Sequence, residues 1–347
     1  MVQNSQKIAK ATITDVARMA GVSIKTVSRV MNTPENVREA TRNKVKEAAH
    51  LLSYEPNQSA RMLAGNRSYS VGLAYENPRE FSYLKHMLDG VFEAAGDLGY
   101  SLLLKPCNLD TGDLKLQIKQ FVTQTRIDGI ILTPPLTDIE ALTDFLQQDG
   151  IPFVQISPKH ENKSAIVIKN NELDACTAIT EHIISLGHTR IGFVKGNPAH
   201  GAARLRFQGY VAALRRHKIA YDASLVRQGY FDFESGQRAA NRLLDLPEPP
   251  TAIVSSNDDM AAGVMFVARE RGLVIPDQLS VTGFDDTPTA SHIWPPLTTI
   301  KQPITEMGAE AARHLISRIR GTTVVTKPLE SLSCQVIIRH STASPVS

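Results

Sequence analysis

Four side chains in the C-terminal two thirds of the chain have the chemistry needed to bind a compound rich in hydroxyl groups. Arg206 offers a planar fork of N–H donors, Asn257 and Asp285 offer oxygen acceptors, and Phe231 offers an aromatic face. A sugar needs this combination, because its vicinal hydroxyls take paired hydrogen bonds and its apolar face stacks on a ring. Simpler roles also fit two of them, since Arg206 could form a surface salt bridge and Phe231 could pack in a core.

The segment VSIKTVSRVMN, residues 22–32, carries a different chemistry. Ile24 and Lys25 stand at the start of a helix, where an acidic residue would suit the helix dipole better. They suit a partner that presents apolar groups and negative charge together. In the major groove of DNA, isoleucine can pack on thymine methyls and lysine can donate to guanine O6 and N7.

The neighbouring polar residues of the same segment extend this DNA-binding prediction. Arg29, one turn further along, can reach a base edge or a phosphate. Ser23, Thr26 and Ser28 are interpreted as helix caps and phosphate contacts, which orient a protein on DNA without reading its sequence. Thr12, which begins the preceding helix, is assigned to the same group.

Short helices position these residues. In TITD, Thr12 and Asp15 have the capping-box spacing, and Gly21 ends the first helix. Ser23 begins the second helix, and a third is predicted from about Glu39 to Leu52. Two helices joined by a glycine-containing turn and braced by a third are typical of a helix-turn-helix. A small helical bundle that only contacts proteins is the alternative.

The distribution of charge favours DNA as the partner of this segment. Residues 1–67 contain eleven Lys and Arg against five Asp and Glu, a net charge of +6. The other 280 residues contain 27 against 30, a net charge of −3. A basic module on a mildly acidic body indicates a polyanionic partner for the module alone.

From residue 70 onward, short β-rich runs alternate with amphipathic helices, which predicts doubly wound parallel sheets. About eleven such runs exceed one comfortable sheet, so we expect two α/β lobes. Ligands of open parallel sheets bind outside the carboxyl ends of the strands. That edge is reached by Tyr75 and Glu76 after the first strand, and by the stretch 196–206, Asn257 and Asp285 after later strands.

Other classes of function find little support. Cys107, Cys176 and Cys334 are far apart and lack metal-ligand spacing, so neither a disulfide framework nor a zinc site is expected. The usual nucleophile-elbow, P-loop, dinucleotide and zinc-protease motifs do not occur. We therefore expect no catalytic residues, no metal and no cofactor. The sequence contains no predicted leader or membrane span, which favours a cytoplasmic protein.

Beyond these patterns, the segments TITDVARMAGVSIKTVSRVMN and VREATRNKVKEAAHLLSYEPNQSARMLAG closely resemble the LacI/GalR family of bacterial transcription regulators. The resemblance resumes at GHTRIGFVKG, ARLRFQGY, AIVSSNDDMAAGVM, LSVTGFDD and PPLTTIKQP. It implies an all-α helix-turn-helix headpiece followed by a two-lobe α/β domain similar to periplasmic binding proteins, in which a ligand lies between hinged lobes.

The implied boundaries are a headpiece at 1–56, a hinge helix and linker at 57–69, an effector and dimerisation domain at 70–341, and a tail at 342–347. The chain would cross between lobes near 168, 302 and 331. The first lobe would then comprise about 70–168 and 303–331, and the second about 169–302 and 332–341.

The resemblance also implies roles for individual residues. Leu63 matches a leucine that the family inserts between base pairs, with Asn57 and Ala60 near the groove floor. A flexible linker with a chance leucine is the alternative. In the body, matched effector contacts are expected at Arg206, Phe231, Asn257, Asp285, Gln302 and His200. The implied partners are a pseudo-palindromic operator in double-stranded DNA, a small effector, chiefly a carbohydrate, and a second copy of the chain. A protein that binds operator DNA is also expected to associate with the nucleoid.

One departure leaves the effector open. Lys169 in IKNNE stands where many relatives have an acid, and it would either favour an acidic or phosphorylated effector or lie in solvent as a surface lysine. Two alternatives to a carbohydrate-responsive regulator remain, and they belong to other classes of function. The first is a purine or nucleoside sensor of the same architecture, which would need more amide and aromatic contacts than Phe231 and Tyr75 supply. The second is a sugar-processing enzyme with a DNA-binding arm.

Overall fold

The computed structural model describes residues 11–32, 37–54, 67–76, 82–109, 113–322 and 332–346. The chain divides into two compact units, residues 1–69 and 70–347. We describe each unit by itself.

Three helices form the described part of the first unit: α1 (Ile13–Ala20), α2 (Ile24–Asn32) and α3 (Glu39–Leu51). The predicted capping box of Thr12 and Asp15 is present, with Thr12 N donating to Asp15 Oδ2 at 3.0 Å. Thr12 Oγ1 also donates to this oxygen, at 2.7 Å. Gly21 then takes a left-handed φ of 64°, which a residue with a side chain adopts reluctantly, and so ends α1.

The three helices share one small core. Its fully or nearly fully buried members include Val16 from α1, Val27 and Val30 from α2, and Val45 and Ala48 from α3. These are the apolar positions that the helical periodicity predicts to face inward. The two-helix arrangement with a bracing third helix is therefore present as expected.

Two parallel sheets form the lobes of the second unit. The first has five strands in the order β2-β1-β3-β4-β5 and the second has four in the order β7-β6-β8-β9. Their bounds are β1 Ser70–Glu76, β2 Ser101–Cys107, β3 Gly129–Leu132, β4 Phe153–Ile156, β5 Ile166–Ile168, β6 Ile191–Lys195, β7 Val226–Gln228, β8 Ala252–Ser255 and β9 Ser280–Thr282. Apolar cores cover the sheets.

Helices connect the strands and lie on the sheets. Their bounds are α4 Ser82–Asp97, α5 Leu114–Thr125, α6 Glu140–Gln148, α7 Glu172–Ser185, α8 Gly201–Arg216, α9 Phe233–Leu244, α10 Asp258–Glu270, α11 Pro288–His292 and α12 Ile304–Arg320. The helix α12 returns to the first lobe and packs on α4. A Cβ on Gly90 would lie 1.9 Å from the carbonyl oxygen of Thr305, so only glycine permits this close contact.

The crossings between lobes bring distant segments together. Strands β10 (Thr299–Lys301) and β11 (Gln335–Ile337) form a two-stranded antiparallel ribbon, which the sequence did not predict. The backbone N–H of Cys334 donates to Asn171 Oδ1 at 2.8 Å and so ties the last segment to the first crossing. The third predicted crossing, near 331, lies outside the described residues.

The segment assigned to a C-terminal tail is packed on the second lobe at its start. Ala343 N donates to Ser280 Oγ at 3.0 Å, and Ala343 O lies 2.8 Å from Nε2 of the buried His188. Thr342 Oγ1 lies 3.1 Å from His182 Nε2. His182 and His188 therefore help to hold residues 342–343 against the second lobe.

Eight of the eleven strands in the described parts of the chain overlap runs that the sequence singles out. The exceptions are β7, β10 and β11, each three residues long. Within the described residues, no helix combines the length and the apolar character needed to cross a bilayer.

Candidate functional site

A cavity of about 470 Å³ lies at the carboxyl ends of the strands of the second unit, between the two sheets. It is lined by Tyr75, Glu76, Tyr83, Leu84, Cys107, Asn108, Leu109, Thr133, Pro134, Ser157, Glu172, Asn197, His200, Ala202, Arg206, Tyr230, Phe231, Asp232, Asn257, Asp259, Asp285 and Thr287. Seven of the nine body residues that the sequence assigns to a ligand are among them. The strand-end rule therefore located the cavity.

Arg206 on α8 occupies the floor of this cavity and is only 4% exposed. Its Nε and Nη2 donate to the two carboxylate oxygens of Glu172 at 2.6 and 3.3 Å. Its Nη1 donates to the carbonyl oxygen of Ser256 and lies 3.4 Å from Asp285 Oδ1. Phe284 covers one face of the guanidinium, whose carbon lies 3.8 Å from the ring centre. The fork is thus already engaged by protein groups.

The electrostatics around Arg206 follow from these contacts. Burial by itself lowers the pKa of Arg206, but the neighbouring Glu172 and Asp285 outweigh it and raise the pKa. Burial raises the pKa of Asp285 to about 7, although Arg206 and the hydrogen bond from Gln302 act in the opposite direction. Near neutral pH, the Asp285 carboxyl therefore exists in both charged and uncharged forms.

Asp285 has a strained backbone conformation, and a chain of side-chain amides holds its carboxyl group in place. Its φ of 115° is a conformation that residues other than glycine rarely adopt, and such strain concentrates at functional sites. Gln302 donates to Asp285 Oδ1 through Nε2 and accepts from Asn170 Nδ2 at 2.7 Å. This chain links the cavity to the first and second crossings between the lobes.

The aromatic wall depends on a glycine. Phe231 has a left-handed φ of 67°, and its ring lies over Gly196, where a Cβ would come within 2.1 Å of the ring. His200 meets the edge of the same ring, with ring centres 5.3 Å apart. His200 Nε2 also lies 3.9 Å from Glu76 Oε2, so the imidazole faces a carboxylate of the other lobe.

Asn257 lines the cavity, but most of its amide is used within the protein. It caps α10 by accepting a hydrogen bond from Met260 N at 3.0 Å, and its Nδ2 donates to Phe231 O at 2.9 Å. Because an amide nitrogen has two hydrogens, one N–H is left to face the cavity.

Two residues assigned to the ligand from the sequence are not among the cavity lining. Lys169 is 64% exposed and pairs with Glu161 at 2.7 Å, which corresponds to the surface lysine of the two alternatives that the sequence leaves open. Gln302 is buried and reaches the cavity only through Asp285. We therefore correct Gln302 from a ligand contact to a residue that positions Asp285.

Glu172 lines the cavity, and the sequence analysis did not single it out. It is the first residue of α7 and follows β5 after the three residues 169–171, so a strand-end rule extended to the next helix start would have included it. The lining also contains other polar and aromatic residues that the sequence analysis did not single out, among them Tyr83, Asn108 and Tyr230. They lie on loops or helix starts whose approach to the cavity depends on how the lobes fold.

The first unit presents the predicted DNA-contacting residues at the start of α2. Ile24 is 48% exposed, and Lys25 and Arg29 are exposed as well. Ser23 Oγ accepts from Thr26 N at 3.1 Å and lies 2.9 Å from Thr26 Oγ1, which confirms Ser23 as a helix cap. Asn57, Ala60 and Leu63 lie outside the described residues.

Within the described part of the chain, no group of three or more His, Cys, Asp or Glu side chains could hold a metal ion. Asp258, the first residue of α10, is fully buried. It accepts hydrogen bonds from Thr287 N at 2.7 Å and from Thr299 Oγ1 at 2.5 Å. Asp258 therefore holds together the loops beneath the cavity.

Comparison with protein families matches both units. Residues 12–57 match the model of bacterial regulatory proteins of the lacI family, and residues 180–342 match that of periplasmic binding protein-like domains. The HTH-type transcriptional repressor CytR of Escherichia coli (strain K12) is 33% identical over 332 residues, which cover 96% of each chain.

Two solved structures extend the likeness to the whole fold. A complex of the transcriptional regulator CelR with cellobiose superposes with a TM-score of 0.73 at 31% identity, covering 95% of this chain and 99% of that one. The lac repressor dimer bound to operator and the anti-inducer ONPF gives 0.72 at 29% identity, covering 96% and 99%.

Proposed function

Because this chain belongs to the lacI family of bacterial regulatory proteins, we propose that it is a homodimeric repressor of a catabolic operon, controlled by a small carbohydrate effector. The broader class needs no proposal. Its relatives are DNA-binding transcription regulators and not enzymes, and this chain is a DNA-binding regulator.

The observation that carries the effector proposal is the cavity between the two sheets. It combines buried hydrogen-bonding groups, chiefly Arg206, Glu172 and Asp285, with the aromatic face of Phe231. Hydroxyl groups can donate to carboxylates and accept from a remaining N–H, while the apolar face of a sugar ring packs on an aromatic ring. The complex of the related CelR with cellobiose supports a carbohydrate.

A nucleoside or purine is the second candidate, and one observation favours it. Tyr75, Tyr83, Tyr230 and Phe231 all line the cavity, as do the amides of Asn108 and Asn197. That set exceeds the two aromatic contacts expected from the sequence, and aromatic and amide groups suit a planar base.

The DNA-binding proposal rests on the start of α2, where Ile24 and Lys25 are exposed. We propose that this turn enters the major groove, that residues near Leu63 contact the minor groove, and that two copies bind a pseudo-palindromic operator. A homodimer is supported by the operator-bound lac repressor dimer. The bacterial cytoplasm, at the nucleoid, is the corresponding location.

Two measurements test the proposal together. Selection of binding sites from random DNA should enrich a pseudo-palindrome, since a symmetric dimer reads two half-sites. A thermal-shift screen against sugars and nucleosides should identify a compound that raises the melting temperature, because a ligand of the native state stabilises it by mass action. That compound should also change operator affinity. Enrichment of single, unpaired half-sites would contradict the dimeric operator, and stabilisation by nucleosides alone would favour the second candidate.

A further inference from the structure

The described part of the cavity lining is acidic. Among its described lining residues, the cationic side chains are one arginine and, when protonated, one histidine. Four carboxylates outnumber them, namely Glu76, Glu172, Asp232 and Asp259, and Asp285 is a fifth acidic group. This balance bears on which class of compound the cavity can accept, a question that the proposed function leaves open.

Arg206 is the group that would attract an anion, but Glu172 already neutralises it. Two of its nitrogens donate to the Glu172 carboxylate, and the third donates to Ser256 O and approaches Asp285. Of the five N–H groups of a guanidinium, these contacts engage most. An incoming phosphate or carboxylate would therefore meet an arginine whose charge and donors are occupied.

Among the lining residues that the structure describes, the remaining carboxylates outnumber the cations. Asp232 accepts a hydrogen bond from Ser235 N at 2.7 Å, and Asp259 accepts one from Thr289 Oγ1 at 3.3 Å. Glu76 lies 3.9 Å from His200 Nε2. The backbone N–H that bonds Asp232 stabilises its carboxylate but leaves the charge in place, so this contact does not offset the repulsion that an anionic ligand would meet.

Burial makes that repulsion effective. Glu172 and Arg206 are 3% and 4% exposed, and charges a few ångströms apart interact far more strongly in such surroundings than in water. A ligand with hydroxyl or ammonium groups would instead donate hydrogen bonds to the carboxylates. Like-charge contact of this kind is a common way to reject the wrong ligand.

Resting on the proposed function, we propose that the cavity selects effectors that carry no negative charge, and that Glu172 imposes this selection by occupying the Arg206 fork. The effector class is thereby narrowed to uncharged or amine-bearing polyhydroxyl compounds, nucleosides included, and phosphorylated sugars and sugar acids are rejected.

The test compares the binding of anionic probes by the full-length wild type and by Glu172→Gln. The probes are inorganic phosphate and D-glucuronate, titrated calorimetrically at constant ionic strength. Glutamine keeps the shape of the side chain but removes its charge, so the Arg206 fork regains attraction for anions. We expect negligible binding to the wild type and at least about tenfold tighter binding to the variant.

Glu181→Gln is the matched control. Glu181 also lies on α7 and pairs with an arginine of α8, Arg216, at 3.3 Å, but on the protein surface outside the cavity lining. Its loss should leave anion binding at the wild-type level. Circular dichroism melting of each variant establishes that it is folded.

Asp285→Asn provides a second route if Glu172→Gln does not fold. It removes the other carboxylate near Arg206 and should also strengthen anion binding. The inference is overturned if the wild type binds either probe as tightly as the variants, or if removing a carboxylate brings no gain. Neither readout involves DNA, so a failure of operator binding would contradict the proposed function without deciding this point.

Discussion

Lys25 and Arg206 are both cations that the sequence singles out, but their surroundings favour different roles. Lys25 is exposed on the first turn of α2, where it is available to a partner. Arg206 is buried, with its donors directed at Glu172, Ser256 and Asp285. A free lysine can read a base, whereas an engaged arginine organises the carboxylates around it.

For Lys25, we expect substitution by alanine to weaken discrimination at one base pair of each half-site by about 1–3 kcal/mol. The physical reason is loss of hydrogen bonds to a base edge. Fluorescence anisotropy with operators altered at that pair measures the effect. Lys44→Ala, on the exposed side of α3, is the control and should leave discrimination intact. An equal loss on all operators would instead make Lys25 a phosphate contact.

For Asp285, we expect a stability that depends on pH. Its pKa of about 7 in the folded protein is raised above the usual value of 3.8, so the folded state holds an extra proton between these values. The stabilisation from this proton is complete below pH 3.8 and is lost as pH rises toward 7, by at most about 1.4 kcal/mol per pH unit.

Chemical denaturation of the wild type and Asp285→Asn from pH 4 to 8 checks this expectation. Asparagine cannot titrate, so the difference in stability between the two proteins should change across this range and level off above pH 7. The pKa of Asp258 is raised chiefly by burial, and further by Asp285. The titration of Asp258 therefore adds its own pH dependence to the stability of both proteins. A difference that stays constant with pH would contradict the raised pKa of Asp285.

At the scale of elements, the start of α2 depends on Ser23. Its Oγ accepts from Thr26 N, so it satisfies one of the free N–H groups of the first turn. Ser23→Ala should destabilise the first turn of α2 by about 1 kcal/mol, whereas Ser23→Asn should retain the cap. Hydrogen exchange of the α2 amides in the full chain measures the change. Equal exchange in all three proteins would show that the cap contributes nothing.

The lobes and their crossings also act at this scale. Asn170 and Gln302, which lie at two crossings, form a hydrogen-bonded chain that ends on Asp285 in the cavity. A ligand that contacts Asp285 therefore contacts a group tied directly to both crossings. Such a connection is a physical basis for coupling the cavity to lobe closure.

At the scale of the whole molecule, we expect the removal of Arg206 to lower the free energy of unfolding, which the sequence does not reveal. Arg206→Ala would leave Glu172 and Asp285 buried without their cation, so we expect about 3–5 kcal/mol of destabilisation. Arg204→Ala, two residues away and exposed, should change stability by about 0.5 kcal/mol or less. Urea unfolding of both variants measures the contrast, and similar values for the two would contradict the buried network.

Coupling between effector and operator is therefore better tested at Asp285. Asp285→Asn is nearly isosteric and should fold, but it changes the hydrogen bonding that an effector meets. We expect the coupling free energy, typically about 1–3 kcal/mol, to fall toward zero in this variant. Operator titrations with and without the effector identified by screening measure it. A full effector response would separate Asp285 from the coupling.

The amino-acid sequence by itself determines the local features of this protein. The capping box at Thr12, the left-handed Gly21, the exposed Ile24 and Lys25, and the parallel strands ending in polar residues all follow from neighbours in the chain. These features rest on backbone hydrogen bonding and on the periodicity of apolar residues, which a single sequence displays directly.

Only the tertiary structure decides which groups meet in the cavity. Glu172 engages the fork of Arg206 across 34 residues of chain, Gln302 reaches Asp285 rather than a ligand, and Lys169 points to Glu161 in solvent. Each outcome depends on how two sheets and their crossings bring distant segments together. Because the charge of the cavity is the sum of such long-range pairings, its preference for ligands is a property of the folded chain.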